Sequence, residues 1–334
     1  MFLMHEQIIP LVHNALKIEE DEQQRLRFRR FTEEQIADYA SDGETFPVRC
    51  RASANITLDL ITDADWIGFE YDVAPGSSQS FYSFDLFVDG TLWDTRLTED
   101  LKSSGTIFEL PHGSHRITLF LPWSAEIILK NLAVTDGSNV TPVSKRSCQI
   151  MTIGDSITQG YIAHHPGCTW VGKLTRELDA EVLNLGIGGY GFYMNSLKHP
   201  HEWDPALIIL AYGTNDYALE STKADYFCRA AEYIDRLVSV YMNVPILLSL
   251  PIYRHDEKHV YREKSRSYTL KDACGVLRGI AKRYQQISVM DDSHYPHTPD
   301  FYAPDYLHPN DAGFLVHGTH VVNTVKQVYP YIVR

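Results

Sequence analysis

The sequence predicts an α/β fold, a parallel sheet with helices on both faces, preceded by an antiparallel β-sandwich or jelly roll. Three observations carry this. Apolar residues alternate with period two from about Asn55 to Val134. After Ser147, short unbroken apolar runs alternate with long amphipathic segments. Between them lies a polar stretch containing Gly and Pro, "TDGSNVTPVSKRS" (135–147), the expected boundary. The two parts are expected at 1–140 and 147–334.

Ahead of the alternation, "FTEEQIADYA" predicts a short helix, with Thr32 as N-cap and Gln35 completing a capping box. "NITLDLI" then alternates through Ile56, Leu58 and Leu60. "WIGFEYDV" sets Ile67, Phe69, Tyr71 and Val73 against Trp66, Gly68, Glu70 and Asp72. "YSFDLFVDGTLW" alternates up to Asp89-Gly90, a hairpin signal. "TIFEL", "HRITLFL" and "EIILKNLAV" continue it, giving six or so strands. In the second part the apolar runs "CQIMTI", "EVLNLGI", "ALIILAY", "VPILLSL" and "ISVM" predict strands covered on both faces. The segments "TWVGKLTRELD", "ADYFCRAAEYIDRLVSVYM", "SYTLKDACGVLRGIAKRY" and "DAGFLVHGTHVVNTVKQVY" predict the helices.

The formal charge of -13 disfavours nucleic acid and anionic membrane surfaces as partners. The start, "MFLMHEQIIPLVHNALKIEEDEQQ", lacks the basic n-region of a signal peptide. No run approaches the ~18 apolar residues of a membrane span. Cys50, Cys148, Cys168, Cys228 and Cys274 are odd in number, scattered and free of C-x-x-C, which predicts reduced thiols in a cytoplasmic protein.

In a parallel α/β sheet, ligands bind beyond the carboxyl ends of the strands. The first strand runs into "GDSIT". Ser156 there is either a nucleophile at a helix N-terminus or an N-cap serine. No lysine follows Gly160, so a P-loop is excluded, and G-x-S-x-G is absent. The second strand ends in "NLGIGGYG", with four glycines in Gly186 to Gly191. The cluster suits either an oxyanion donor, the Gly189 N–H foremost, or a tight turn. The third ends in "YGTNDY", where Asn215 is a side-chain donor or part of an ordinary cap. Near the end comes "DYLHPNDAG". Asp305 precedes His308 by three residues, close enough to reach Nδ1 and leave Nε2 as a base. Together these supply a nucleophile, a base, an orienting acid and three donors, the inventory for acyl transfer.

"GDSIT", "NLGIGGYG", "GTND" and "DYLH", in this order, resemble the four motif blocks of the GDSL/SGNH hydrolase superfamily, over about Ser147 to Arg334. The resemblance implies a flavodoxin-like three-layer α/β/α domain. It implies Ser156 as nucleophile, His308 as base and Asp305 as its partner. The Ser156 N–H, the Gly189 N–H and the Asn215 side chain would form the oxyanion hole, with Gly188 as an alternative donor and Asp155 in a structural role. No cofactor and no metal are implied.

The loops expected to face the site are "YIAHHPGCTW", "YGFYMN", "YRHDEKHVYREKSRS" and "HYPHTPDFYAPDY", rich in Tyr and His. Such surfaces suit a short acyl group on a sugar better than a long acyl chain. A sandwich before such a domain also resembles two-domain carbohydrate acetylesterases. The expectation is therefore an esterase acting on acetyl esters of a carbohydrate, with a small-molecule or oligosaccharide substrate and with a homo-oligomer left open. A lipase/thioesterase, an acyltransferase and an inactive glycan-binding protein are the alternatives. Trp93 and Trp123 are either sugar platforms or packing residues, the latter preferred. The histidines at 164–165 and 294–297 lack the acidic company of a metal site.

Overall fold

The structure is a computed structural model and describes residues 1–178, 180–256, 267–291 and 293–332. The chain opens with α1 (His5–Ile8), β1 (Val12–His13), β2 (Lys17–Glu20), β3 (Leu26–Arg29), α2 (Glu33–Ala40) and α3 (Phe46–Cys50). Then come β4 (Thr57–Thr62), β5 (Trp66–Pro75), β6 (Tyr82–Val88) and β7 (Thr91–Thr98). They are followed by β8 (Ser104–Glu109), β9 (His115–Phe120), β10 (Ala125–Val134) and β11 (Val140–Pro142).

These strands form two antiparallel sheets. One has the order β1-β4-β9-β6-β7, with β11 also on β4; the other is β2-β3-β10-β5-β8. One apolar core joins them, built from the inward positions of the alternation, among them Ile56, Leu58, Leu60, Ile67, Phe69 and Tyr71. The Asp89-Gly90 turn closes β6 on β7 as expected. Both residues have positive φ, 49° and 82°, as a two-residue type I′ turn requires. β1 to β3 are not foreseen by the alternation. β2 and β3 carry charges where a core strand carries aliphatics, and ion pairs hold them. Arg29 reaches Glu19 and Glu126, and Arg27 reaches Glu126, each at 2.9 Å.

The second part holds β12 (Cys148–Gly154), α4 (Ser156–Gln159), α5 (Trp170–Glu177), β13 (Ala180–Gly186) and β14 (Leu207–Ala211). It continues with α6 (Thr214–Leu219), α7 (Lys223–Val240), β15 (Ile246–Ser249), α8 (Leu270–Ala281), β16 (Ile287–Met290) and α9 (Asp311–Val328). Every apolar run named above is a strand and every long amphipathic segment a helix. The sheet is parallel, in the order β13-β12-β14-β15-β16, the doubly wound order with a switch point beside its first strand. Residues alternate between two cores: Met151, Leu183 and Leu248 lie under α7 and α8, whereas Ile150, Val182 and Leu247 lie under α5 and α9. The predicted Thr32–Gln35 capping box is present. The helix it starts packs not on the antiparallel sheets but on the α7–α8 face, where Phe31, Ile36, Tyr39 and Cys50 join the core.

The two parts are keyed together. β6 is buried along its whole length, so its polar alternates do not face water. Ser83 Oγ donates to the carbonyl of His164 (2.6 Å), and Asp85 accepts the N–H of Gly167 (3.0 Å). His13 Nδ1 lies 2.7 Å from Glu181; burial opposes that carboxyl's ionisation, but His13 and its neighbours hold its pKa down at about 2. No disulfide joins any of the five cysteines, and no helix among the described residues is long and apolar enough to cross a membrane.

Three histidines meet away from the strand ends. His294 stacks on His320 (3.7 Å between ring centroids), and its Nε2 lies 3.0 Å from Nδ1 of His317. Burial pushes His294 down to about 4 and His317 well below its ordinary value of 6.5; His320 is lowered as well. Each ring therefore takes a proton more readily in the unfolded chain. Their neutral forms favour the fold above the unfolded value, near pH 6.5, and this contribution is lost as pH falls toward 4. Melting temperatures measured between those limits are expected to drop steadily, with a shallower slope in His294→Gln. An unchanged slope would place the acid sensitivity elsewhere.

Candidate active site

β12 ends at Gly154 and α4 begins at Ser156. The N-cap is Asp155 rather than the serine: its carboxylate accepts the N–H of Ile157 at 2.9 Å. Burial raises Asp155 to about 7. Ser156 is the first helical residue, and no described group takes its N–H. The sharp turn needs the glycine before it, since a Cβ on Gly154 would stand 1.9 Å from Thr158 Oγ1. Ser156 is thus held at a strand–helix corner, with only 7% of its surface exposed.

Its hydroxyl lies 2.7 Å from Nε2 of His308. Nδ1 of His308 lies 2.6 Å from Asp305 Oδ2. Asp305 Oδ1 accepts the backbone N–H groups of Leu307 and His308, both at 3.0 Å. Burial would raise the Asp305 pKa, but the His308 ring and those two N–H groups win and hold it at about 2. An ionised Asp305 fixes the proton on Nδ1 and leaves Nε2 able to accept the serine proton. Tyr306 sits in the left-handed region (φ 58°), which lets carboxylate and ring face each other across one turn. The Tyr306 carbonyl is in turn gripped by the N–H groups of His255 and Asp256 (3.0 Å each).

The donor loops stand alongside. The N–H of Gly188 is already taken by Gln159 Oε1 (2.8 Å), whereas that of Gly189 is taken by no described group. Of the two glycines, Gly189 is the one with a free donor. Asn215 spends one side-chain N–H on the carbonyl of Tyr190 (2.9 Å) and retains a second. Arg254, 2% exposed, links this loop to the histidine loop. It donates to the carbonyl of Thr214 (2.8 Å) and bidentately to Asp256 (3.0 and 2.7 Å).

Ser156, Gly189, Asn215, Asp305 and His308 all line one cleft of about 480 Å³, within the usual range for a ligand site. Among the described residues its aliphatic lining is Pro304 and Leu307. Tyr161, from the first of the loops expected here, packs against His308 with ring centroids 4.6 Å apart and the planes tilted by 52°. The "YGFYMN" loop does not face the cleft: Tyr190 and Phe192 are buried in the α7–α8 core, and Tyr193 packs against it. The segment 257–266 of "YRHDEKHVYREKSRS" lies outside the described residues; of that stretch Asp256, just after Tyr253-Arg254, lines the cleft. The histidine groups also lie elsewhere. His164 stacks on Phe81, and His297 on Tyr253. Trp123 is buried between the two parts, its Nε1 donating to the carbonyl of Ala163 (2.7 Å), and the half-exposed Trp93 is outside the cleft.

Three lining residues come from the N-terminal part and escape sequence reasoning: Arg49, Ser77 and Ser78. Gln159, buried just after the first motif block, holds the backbone that leads into Ser77 and Ser78. Its amide donates to the carbonyls of Gly76 (2.9 Å) and Trp123 (3.0 Å) while accepting from Gly188. A buried glutamine in so short a helix is the signal that was available.

Among solved structures, the salicylyl-acyltransferase SsfX3 from a tetracycline biosynthetic pathway matches 97% of this chain and 96% of its own, at TM-score 0.79 and 19% identity. A GDSL-like lipase from Bacteroides ovatus covers 99% and 98%, at TM-score 0.79 and 17% identity. An acetyl xylan esterase from the rumen bacterium Butyrivibrio proteoclasticus covers 99% and 99%, at TM-score 0.64 and 14% identity. At such identities these likenesses establish the fold. No curated protein sequence matches. The model of the GDSL-like lipase/acylhydrolase family matches residues 152–315, the span that carries all four strand-end loops.

Proposed function

We propose that this chain is a serine esterase that hydrolyses short acyl esters, acetyl above all, on a carbohydrate. The observation that carries the reading is the unbroken chain of contacts Asp305–His308–Ser156, at 2.6 and 2.7 Å, opening into a cleft whose described lining residues are mostly polar. His308 Nε2 takes the Ser156 proton as Oγ attacks the acyl carbon. The Ser156 and Gly189 N–H groups and the second Asn215 N–H receive the developing oxyanion. His308 then protonates the leaving alcohol, and water admitted to the same base clears the acyl-enzyme. A cleft with so little aliphatic lining favours a short acyl group and a hydroxylated alcohol. Structural neighbours named as an acetyl xylan esterase and as family two carbohydrate esterases support the sugar.

The two antiparallel sheets around one core support reading the N-terminal part as a jelly-roll-like sandwich domain whose loops complete the cleft. Transfer of the acyl group to a second alcohol is the other reading, favoured by the full-length neighbour named as an acyltransferase.

A panel of acetylated oligosaccharides, read by acetate release with Ser156→Ala as control, tests the proposal. Acetate release by the wild type alone is the expected result. p-Nitrophenyl esters are expected to turn over more slowly from acetate to octanoate; a rise along that series would overturn the short-acyl reading. Acyl transfer to an added alcohol exceeding hydrolysis would favour the second.

A further inference from the structure

Arg49 stands at the cleft, outside residues 152–315, and is contributed by α3. Its Nη1 donates to the carbonyl oxygen of Gly188, and its guanidinium lies 5.7 Å from the Phe46 ring centroid. No carboxylate among the described residues pairs with it, and burial lowers its pKa. A half-buried cation without a counter-ion is costly unless its position does something.

Its hydrogen-bond partner is a particular peptide unit. The Tyr190 N–H donates to the Ile187 carbonyl at 3.1 Å, and Gly189 has φ 78°, the features of a type II turn with Gly188 and Gly189 at its centre. Turning the 188–189 peptide over would convert type II into type I without breaking the closing hydrogen bond. The described chain holds no cis peptide, so the C=O and N–H of this unit point to opposite sides. With the Gly188 carbonyl held by Arg49, the Gly189 N–H leaves on the other face, where no described group takes it. In the turned-over state that N–H would oppose the guanidinium, donor against donor, and a carbonyl oxygen would occupy the donor's place. The turn adjoins the candidate nucleophile: a Cβ on Gly188 would lie 3.7 Å from the Cβ of Ser156.

Arg49 is itself fixed. Arg30, 1% exposed, donates to the Arg49 carbonyl (2.7 Å) and to those of Asn184 (2.7 Å) and Gly186 (3.0 Å). One buried guanidinium therefore ties the backbone of Arg49 to the strand that leads into the turn.

We infer that Arg49 is a positioning residue for the oxyanion: it holds the 188–189 peptide in the orientation that offers the Gly189 N–H, and its charge polarises that peptide. This rests on the reading of Ser156 and Gly189 given above. Wild-type turnover of acetyl esters, absent in Ser156→Ala, tests that reading separately. Given that turnover, Arg49→Met is expected to lower kcat by about 10- to 100-fold, less than outright loss of an oxyanion donor, with KM within about twofold. Arg49→Lys, which keeps a cationic donor, is expected to recover most of the loss. Added methylguanidine is expected to restore rate to Arg49→Met and none to Ser156→Ala. A kcat within about twofold of wild type in folded Arg49→Met, or a loss carried by KM alone, would overturn the inference. If Arg49→Met does not fold, the same kcat–KM split is read on Arg49→Lys, where a small fall in kcat at constant KM supports the role and a fall through KM alone overturns it.

Discussion

Ser156→Ala is expected to lower kcat for acetyl-ester hydrolysis by about 10⁴- to 10⁶-fold, leaving the melting temperature within a degree or two. The size follows from what the hydroxyl does. Without Oγ no covalent intermediate forms, and only the donors at the strand ends remain to assist water. The fold is not expected to suffer, because the hydroxyl has one side-chain partner, His308, and removing it leaves no buried group deprived of its only contact. His308→Ala should cost nearly as much, and the double variant should be no slower than the worse single one, since the two act as a unit. Initial rates on p-nitrophenyl acetate with purified variants decide this. Additive losses in the double variant would mean that the 2.7 Å contact is not the one used in the reaction.

The second large effect is expected at Asp305→Asn. The variant keeps the shape of the side chain but removes the charge that fixes the proton on Nδ1 and steadies the imidazolium. Where such an acid is fully buried, the loss reaches about 10⁴-fold in kcat. Here the side chain is 38% exposed, so water screens part of its charge and a loss of about 10²- to 10³-fold is expected. KM should barely move. Because the carboxyl is held at about 2, the wild type should not lose activity through Asp305 anywhere above about pH 4. Equal rates for Asp305→Asn and wild type would remove it from the reaction.

What could be read from the sequence divides along physical lines. The strands of the parallel sheet declare themselves because both faces are covered, so their apolar runs are unbroken. Ser156, Gly189, Asn215, Asp305 and His308 converge on one cleft because doubly wound topology sends every strand end to one edge. What stayed hidden depends on pairing at long range. Arg–Glu contacts hold β3 to β10 and β2 to β3, and nothing in "KIEE" or "LRFR" alone announces a strand. Arg49 sits in "FPVRC", an unremarkable single turn, and its meaning comes from Gly188, 139 residues away. The aromatics of "YGFYMN" mislead for the opposite reason. A loop rich in rings next to a motif suggests a substrate wall, yet Tyr190 is drawn into the core, and its hydroxyl donates to Asp42 (2.5 Å).

The three-residue spacing of Asp305 and His308 has a mechanical consequence. Asp305 and His308 ride on one turn, clamped through the Tyr306 carbonyl, so their separation does not depend on how distant parts of the molecule move. Assembling the working geometry then involves one joint instead of two: the seating of that turn against the corner after β12. Thermal breathing, a bulky substrate or a mutation far away can disturb the Asp305–His308–Ser156 contacts through that joint. A screen for heat-tolerant catalysis would do best to reinforce the contacts of His255 and Asp256 with the Tyr306 carbonyl rather than the turn itself.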